Sequence, residues 1–187
     1  MTITTIVLIV IAVIILYLII AFNSLITLKT RSEEAWSDIN VQLKRRYDLI
    51  PNLVSSVKSY AKHEKDVFEK VTKARVSAME AKGIKDREKA ENELSETLKS
   101  IFAVAENYPV LKANENFLAL QGELTDTENK IEASRRFYNA NVRDYNIKIR
   151  SFPSSIIAGM FKFDEKNLFE VEASQKEAIE KAPKVEI

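Results

Sequence analysis

From Ile6 to Phe22 the chain reads IVLIVIAVIILYLIIAF, which is apolar on every face of a helix. With the Ile3-Thr4-Thr5 lead-in the run is about 20 residues, or ~30 Å at helical rise, which matches the hydrocarbon thickness of a bilayer. The core helix of a soluble domain keeps a polar stripe, and this segment has none. Ile3 to Phe22 is therefore predicted to be a transmembrane helix. A cleaved secretory signal is the competing reading. It is disfavoured by the lack of a basic leading region, by the length of the run and by the poor small-x-small site at Ala21-Phe22-Asn23-Ser24.

Beyond the run, apolar positions fall into a three-four alternation. Leu25, Leu28, Ala35, Ile39, Leu43 and Tyr47 carry one stripe, which continues the membrane helix into water. That helix is expected to stop or bend between Asp48 and Pro51, because proline lacks the N–H that an interior turn needs. A second segment carries Leu53, Val57, Tyr60, Val67 or Phe68, Val71, Ala74 and Ala78 and ends at Gly83; a third runs from about Asp86 to Ala105 with Ala90, Leu94, Leu98, Ile101 and Phe102 on one side. The fourth is the longest. Phe117, Leu120, Leu124, Thr127, Ile131, Ser134, Tyr138, Asn141 or Val142, Tyr145, Ile149 and Phe152 advance by threes and fours, about five heptads.

Four such stripes satisfy one another when antiparallel neighbours pack side by side. The expected fold is all-α: an N-terminal transmembrane helix followed by an antiparallel four-helix bundle with long helices. Residues 1–24 form the anchor, 25–163 the bundle domain and 164–187 a charged, disordered tail. A homo-oligomeric coiled coil would use the same heptads, but the proline-punctuated segments favour folding back within one chain.

Composition sharpens this picture. The chain has only 3 glycines and 4 prolines, so little interrupts helix. All 28 basic and 27 acidic residues lie after Leu28, and this segregation repeats the membrane signal. Lys29 and Arg31 follow the span closely, so the positive-inside rule favours a cytoplasmic C-terminal domain and makes these two the headgroup contacts. The absence of cysteine fits a reducing compartment.

Catalytic chemistry finds little support. His63-Glu64 opens like a zinc-protease string, but the second histidine is missing and His63 is the only one in the chain. One imidazole without a thiolate makes no ordinary transition-metal site, and a di-iron bundle would need two Glu-x-x-His pairs. There is no nucleophile elbow and no glycine-rich phosphate loop. No metal or other cofactor is expected. A net charge of +1 gives no reason to expect nucleic acid.

Polar residues crowd the flanks of the first and fourth segments. Asp38, Gln42 and Arg45 step by four and three along one side, with Arg46 beside them; Glu128, Asn129, Glu132, Arg135, Arg136 and Asn139 crowd the other segment. Two uses are open. The group Asp38, Gln42, Arg45 and Arg46 is a candidate surface for a partner protein, held ~25 to 35 Å from the bilayer by a rigid helix. Alternatively, the same groups form internal hydrogen bonds that fix helix register.

The stretch FNSLITLKTRSEEAWSDINVQLKRRYDLIPNLVSSVKSYAKHEKDVFEKVTKAR, from Phe22 to Arg75, resembles the signature of the LemA family. So does ALQGELTDTENKIEASRRFYNANVRDYNIKIRSFPSSIIAGMFKF, from Ala119 to Phe163, although Met160-Phe161-Lys162-Phe163 stands where the family has an MFGF-like string. The resemblance implies a bacterial membrane protein with an N-terminal anchor and a helical domain, and it implies no enzymatic activity. The resulting expectation is a membrane-tethered interaction or scaffold module that meets other membrane or membrane-proximal proteins. A hydrolase or metal enzyme of unrecognised type and a lipid or envelope-stress sensor are the alternatives. Deleting residues 1–24 should yield a soluble, highly helical monomer. Sedimentation of that fragment as a stable trimer or larger would favour the open coiled coil instead.

Overall fold

The computed structural model describes residues 2–169; the expected tail beyond 169 lies outside the described residues. The elements, in order, are α1 (Ile3–Tyr60), α2 (Lys65–Glu80), α3 (Ile84–Glu106), the single turn α4 (Pro109–Lys112), α5 (Glu115–Arg150) and α6 (Ser154–Met160). No strand occurs among the described residues. The protein is all-α, with one long apolar N-terminal helix.

Among the described residues, contacts gather into two compact units: residues 2–40 with Glu132–Leu168, and Val41–Ile131 with Phe169. The long helices α1 and α5 each contribute to both. In the first unit the buried apolar positions are Ala21, Leu25, Ala35 and Ile39 on α1, Tyr138, Val142 and Tyr145 on α5, and Ile157 and Ala158 on α6. In the second, Leu43, Ile50, Leu53 and Val57 of α1 are buried, as are Phe68, Val71, Ala74 and Ala78 of α2, Leu94, Leu98 and Ile101 of α3, and Phe117, Leu124 and Ile131 of α5. Most stripe positions are buried or half-buried as the three-four spacing predicts, but Tyr60 of the second stripe is 39% exposed and Phe152, at the end of the fourth, is 82% exposed.

Helix boundaries follow local chemistry. Gly83 precedes α3 at φ 81°, a conformation that side chains with a Cβ rarely adopt. Pro109 opens α4 at a position whose N–H would have no partner in any case. Asn114 caps α5, its Oδ1 accepting from the Phe117 N–H at 3.1 Å.

One expectation fails. α1 runs unbroken for 58 residues with Pro51 inside it, and the chain turns only after Tyr60, across Ala61 to Glu64. Proline at 51 takes the helical donor away from the carbonyl four residues earlier, that of Tyr47. The Arg75 Nε of α2 donates to that same Tyr47 carbonyl at 2.7 Å. The side chain of a neighbouring helix thus replaces the missing backbone bond, and the proline is accommodated.

This arrangement makes a double-mutant prediction. Arg75→Ala should strip the Tyr47 carbonyl of its donor and destabilise the protein by about 1 to 3 kcal/mol, the cost of a buried unsatisfied group. In a Pro51→Ala background, where the backbone N–H returns, the same change should cost much less. Denaturant titration of the four proteins reads the difference, and equal losses in both backgrounds would show that Arg75 does not substitute for the helical bond.

Candidate functional site

The densest polar chemistry lies inside the second unit, where α1 reaches the seam position between Leu43 and Ile50. Counting three from Leu43 arrives at Arg46, and four more at Ile50, so an arginine occupies a core position of an otherwise apolar stripe. Arg46 is 1% exposed. Its guanidinium forms an ion pair through Nη2 with Glu91 of α3, and another through Nη1 with Glu128 of α5 at 2.6 Å. Nη1 also donates to Ser95 Oγ at 3.2 Å.

Glu91 is itself fully buried and accepts from the Tyr47 hydroxyl as well as from Arg46. The Tyr47 hydroxyl lies 3.3 Å from the Ala78 carbonyl of α2. Side chains and backbone from α1, α2, α3 and α5 therefore converge on one guanidinium and one carboxylate. Removing a charge from water costs several kcal/mol per ion, and close opposite charges with further hydrogen bonds offset it. Such a cluster tolerates one helix register, because a slip by one residue would bury Arg46 against hydrocarbon. Its members are bonded to one another across three helices.

The four residues expected to face a partner separate here. Arg46 is withdrawn into the interior and leaves the set, because its charge is spent on Glu91 and Glu128. Arg45, one residue earlier and so about 100° round the helix, is exposed and lies 3.5 Å from Asp126 of α5. Asp126 also pairs with Lys130 at 2.8 Å; that hydrogen bond holds its carboxyl below the usual range, and the charges of Lys130 and Arg45 add to the effect. Gln42 is half-buried, with its Oε1 enclosed and unbonded, and Asp38 is exposed. Lys29 and Arg31, expected at headgroups, are both exposed.

A second constellation, in the first unit, was not foreseen. Residues 164–169, assigned to the tail, are held along α1 and α5. The Asn146 amide works as a strand edge, donating from Nδ2 to the Lys166 carbonyl at 2.9 Å and accepting the Lys166 N–H on Oδ1 at 3.0 Å. The Tyr138 hydroxyl donates to the Asn167 carbonyl at 2.9 Å. Burial pushes the Tyr138 phenol up, and burial with the charges of Asp164 and Glu33 does the same to Tyr145. Lys166 Nζ reaches Ser32 Oγ at 2.7 Å and Glu33 at 3.1 Å, and sits 5.7 Å from the Tyr145 ring centre. Arg150 grips Glu165 with both Nε and Nη2. The signal was present in Tyr138-Asn139 and Tyr145-Asn146, whose repeat at seven places amides along one flank; what it lacked was the partner, an unstructured segment without periodicity.

His63 lies exposed in the turn after α1. Among the described residues no group of three or more His, Asp or Glu side chains is placed to hold a metal ion. Of two open grooves in the second unit, one lies beside Tyr60, Pro109 and Asn114, and the other, beside Val54, Phe68 and Val76, is also lined by Lys58, Glu69 and Lys73.

An apolar, charge-free N-terminal helical segment continuous with a helical domain marks a membrane-associated helical protein. The family model described as "LemA family" matches residues 35–186, and the chain belongs to the LemA family. Its similarity extends to magnetosome protein MamQ 1 of Paramagnetospirillum magneticum, 23% identical over 179 residues that cover 82% of this chain and 66% of that protein. Magnetosome protein MamQ of Magnetospirillum gryphiswaldense is 23% identical, over 81% of this chain and 65% of its own length. Protein LemA of Metamycoplasma hominis is 27% identical over 162 residues, covering 84% of this chain and 72% of that protein. The chain thus spans just under two thirds of the length of the magnetosome relatives.

The buried network yields a prediction of sign as well as size. Arg46→Met should destabilise the protein by about 3 to 5 kcal/mol, because Glu91 is left buried without its mate. Adding Glu91→Leu should recover most of that loss, since both charges are then gone. Urea titration followed by circular dichroism measures both. A double variant no more stable than Arg46→Met alone would show that charge pairing is not what Arg46 supplies.

Proposed function

We propose that the chain is a membrane-tethered interaction module, without catalysis of its own, that presents its helical domain to other membrane or membrane-proximal proteins. The observation that carries this reading is α1. An uncharged span passes without a loop into the helix that supplies the core of both units, so the domain is joined to the bilayer by one continuous helix. The relatives support it, since those called magnetosome proteins are named for a cellular structure rather than for a reaction.

In this reading residues 1–24 are the anchor in a bacterial cell membrane and the helical domain lies on the cytoplasmic side, the side that Lys29 and Arg31 favour. Those two cations meet headgroups. The partner surface consists of Asp38, Gln42 and Arg45, with the Arg46 side chain behind it as support. Arg45 is the residue to test, because its exposure and the screened pair with Asp126 make it worth little to the fold.

Arg45→Glu should leave the melting temperature nearly unchanged while abolishing crosslinks to the partner in native membranes. A sharp fall in melting temperature, with crosslinking intact per folded molecule, would assign Arg45 to the fold and remove it from the partner surface.

A further inference from the structure

The first unit carries an apolar surface that the helical core does not use. Between Arg150 and Lys162 the chain reads SFPSSIIAGMF, with no charged residue. Ile157 and Ala158 of α6 are buried against Ala21 and Leu25 of α1, with Phe22, Ile149 and Phe163 packed around them. The Phe22 ring lies 4.7 Å from that of Phe161 and 5.9 Å from that of Phe163, centre to centre. This cluster contains the last residues of the membrane span, Ala21 and Phe22. α6 and its flanks are therefore fixed at the depth where α1 leaves the hydrocarbon.

The opposite side of the same segment is open. Phe152 is 82% exposed, Met160 71%, Phe161 58% and Ile156 56%. Large side chains of this kind, contiguous and uncharged, are disfavoured in water, and a monomer exposes such a patch where something covers it. Phe161 of this segment packs on Phe22, and span residues just before it, including Ile19 and Ile20, are exposed and apolar as well. The segment's borders are Arg150 and Lys162, and Lys29 stands about 10 Å beyond Phe22 along α1, a spacing suited to phosphate headgroups.

We propose that residues 151–161 form a second membrane contact: a short interfacial element in which Phe152, Ile156, Met160 and Phe161 enter the headgroup and upper acyl region beside the transmembrane helix. The occupant of the patch is lipid. A span alone leaves a single-pass protein free to tilt and to rotate about its axis. An apolar foot packed against one face of that span fixes which face of the first unit turns toward the membrane. This inference rests on the reading of Ile3 to Phe22 as a span, and its test separates the two.

The chain has no cysteine, so single thiols can be placed without competing labels. Full-length Phe152→Cys, Met160→Cys, Ile14→Cys and Ser37→Cys, each carrying an environment-sensitive fluorophore, are reconstituted into phosphatidylcholine and phosphatidylglycerol vesicles. All four positions are exposed, so labelling leaves the core intact, which circular dichroism verifies. Labels at 152 and 160 should shift to the blue, lose emission to lipids bearing a nitroxide near the headgroup and resist aqueous iodide. The label at 14 should be quenched by nitroxides deep in the acyl chain, and that at 37 by iodide alone. If 152 and 160 behave as 37 does, the patch faces water and the proposal fails while the span stands. Shielding of 152 and 160 from both quenchers would place a protein surface there and overturn it as well. A label at 14 untouched by lipid nitroxides would remove the span reading and this one together.

Discussion

A chain that leaves the bilayer as a helix must keep its backbone hydrogen bonds satisfied at every step, and α1 does so for 58 residues from the hydrocarbon into the core of both units. It supplies apolar residues to the first unit at Ala21, Leu25, Ala35 and Ile39 and to the second at Leu43, Ile50, Leu53 and Val57. A break at Pro51 would separate the seam above it from the one below. The Arg75 bond to the Tyr47 carbonyl is therefore more than a local repair, because it allows one helix to serve as both anchor and scaffold.

The seam along this helix is mostly interchangeable hydrocarbon, and hydrocarbon stripes of three-four spacing pack acceptably in more than one register. Arg46 and Glu91 remove that freedom. Each occupies a seam position on its own helix, and the two satisfy each other only when α1 and α3 are in register, with Glu128 of α5 and Ser95 also bonded to the guanidinium through Nη1. A buried pair of this kind adds little stability over a well-packed apolar pair. What it supplies is a penalty on every alternative alignment, which matters for a domain built from long stripes with few loops to fix their offset.

Much of this was legible in the chain. The span followed from seventeen uncharged apolar positions between Ile6 and Phe22, and the buried stripe of α5 followed from spacing alone: Leu124, Ile131, Tyr138 and Tyr145 lie where threes and fours put them. The misses share a cause. Pro51 was read by its intrinsic effect, and its partner Arg75 lies 24 positions further along the sequence. Arg46 was left open between a partner-facing cation and an internal one, although the count from Leu43 to Ile50 passes through it and marks the internal use. Glu91 shows the same conflict: the stripe continuing to Leu94 and Leu98 begins at Glu91, where a polarity rule chose Ala90. Periodicity was the better guide at both positions. Residues 164–169 have no periodicity, and the side chains that hold them, Asn146, Tyr138 and Ser32, lie far away in sequence.

The polar and apolar specialities of the protein fall in different places for a physical reason. In the second unit, charges are taken out of water in matched sets, which is tolerable only where helices enclose them on several sides. In the first unit, the segment beyond α5 carries uncharged side chains that helices leave uncovered, next to Phe22 and Ala21 at the end of the span. In the same unit, the strap from Asp164 to Leu168 is held by backbone-directed bonds from Asn146 and Tyr138 and by the cation of Lys166, which reaches α1 at Ser32 and Glu33. The strap leaves Phe163, whose ring packs on Phe22. The bonds that fix the strap consequently also restrain the apolar foot against the span, and a change at Asn146, remote from any lipid, would loosen the residues that face the membrane.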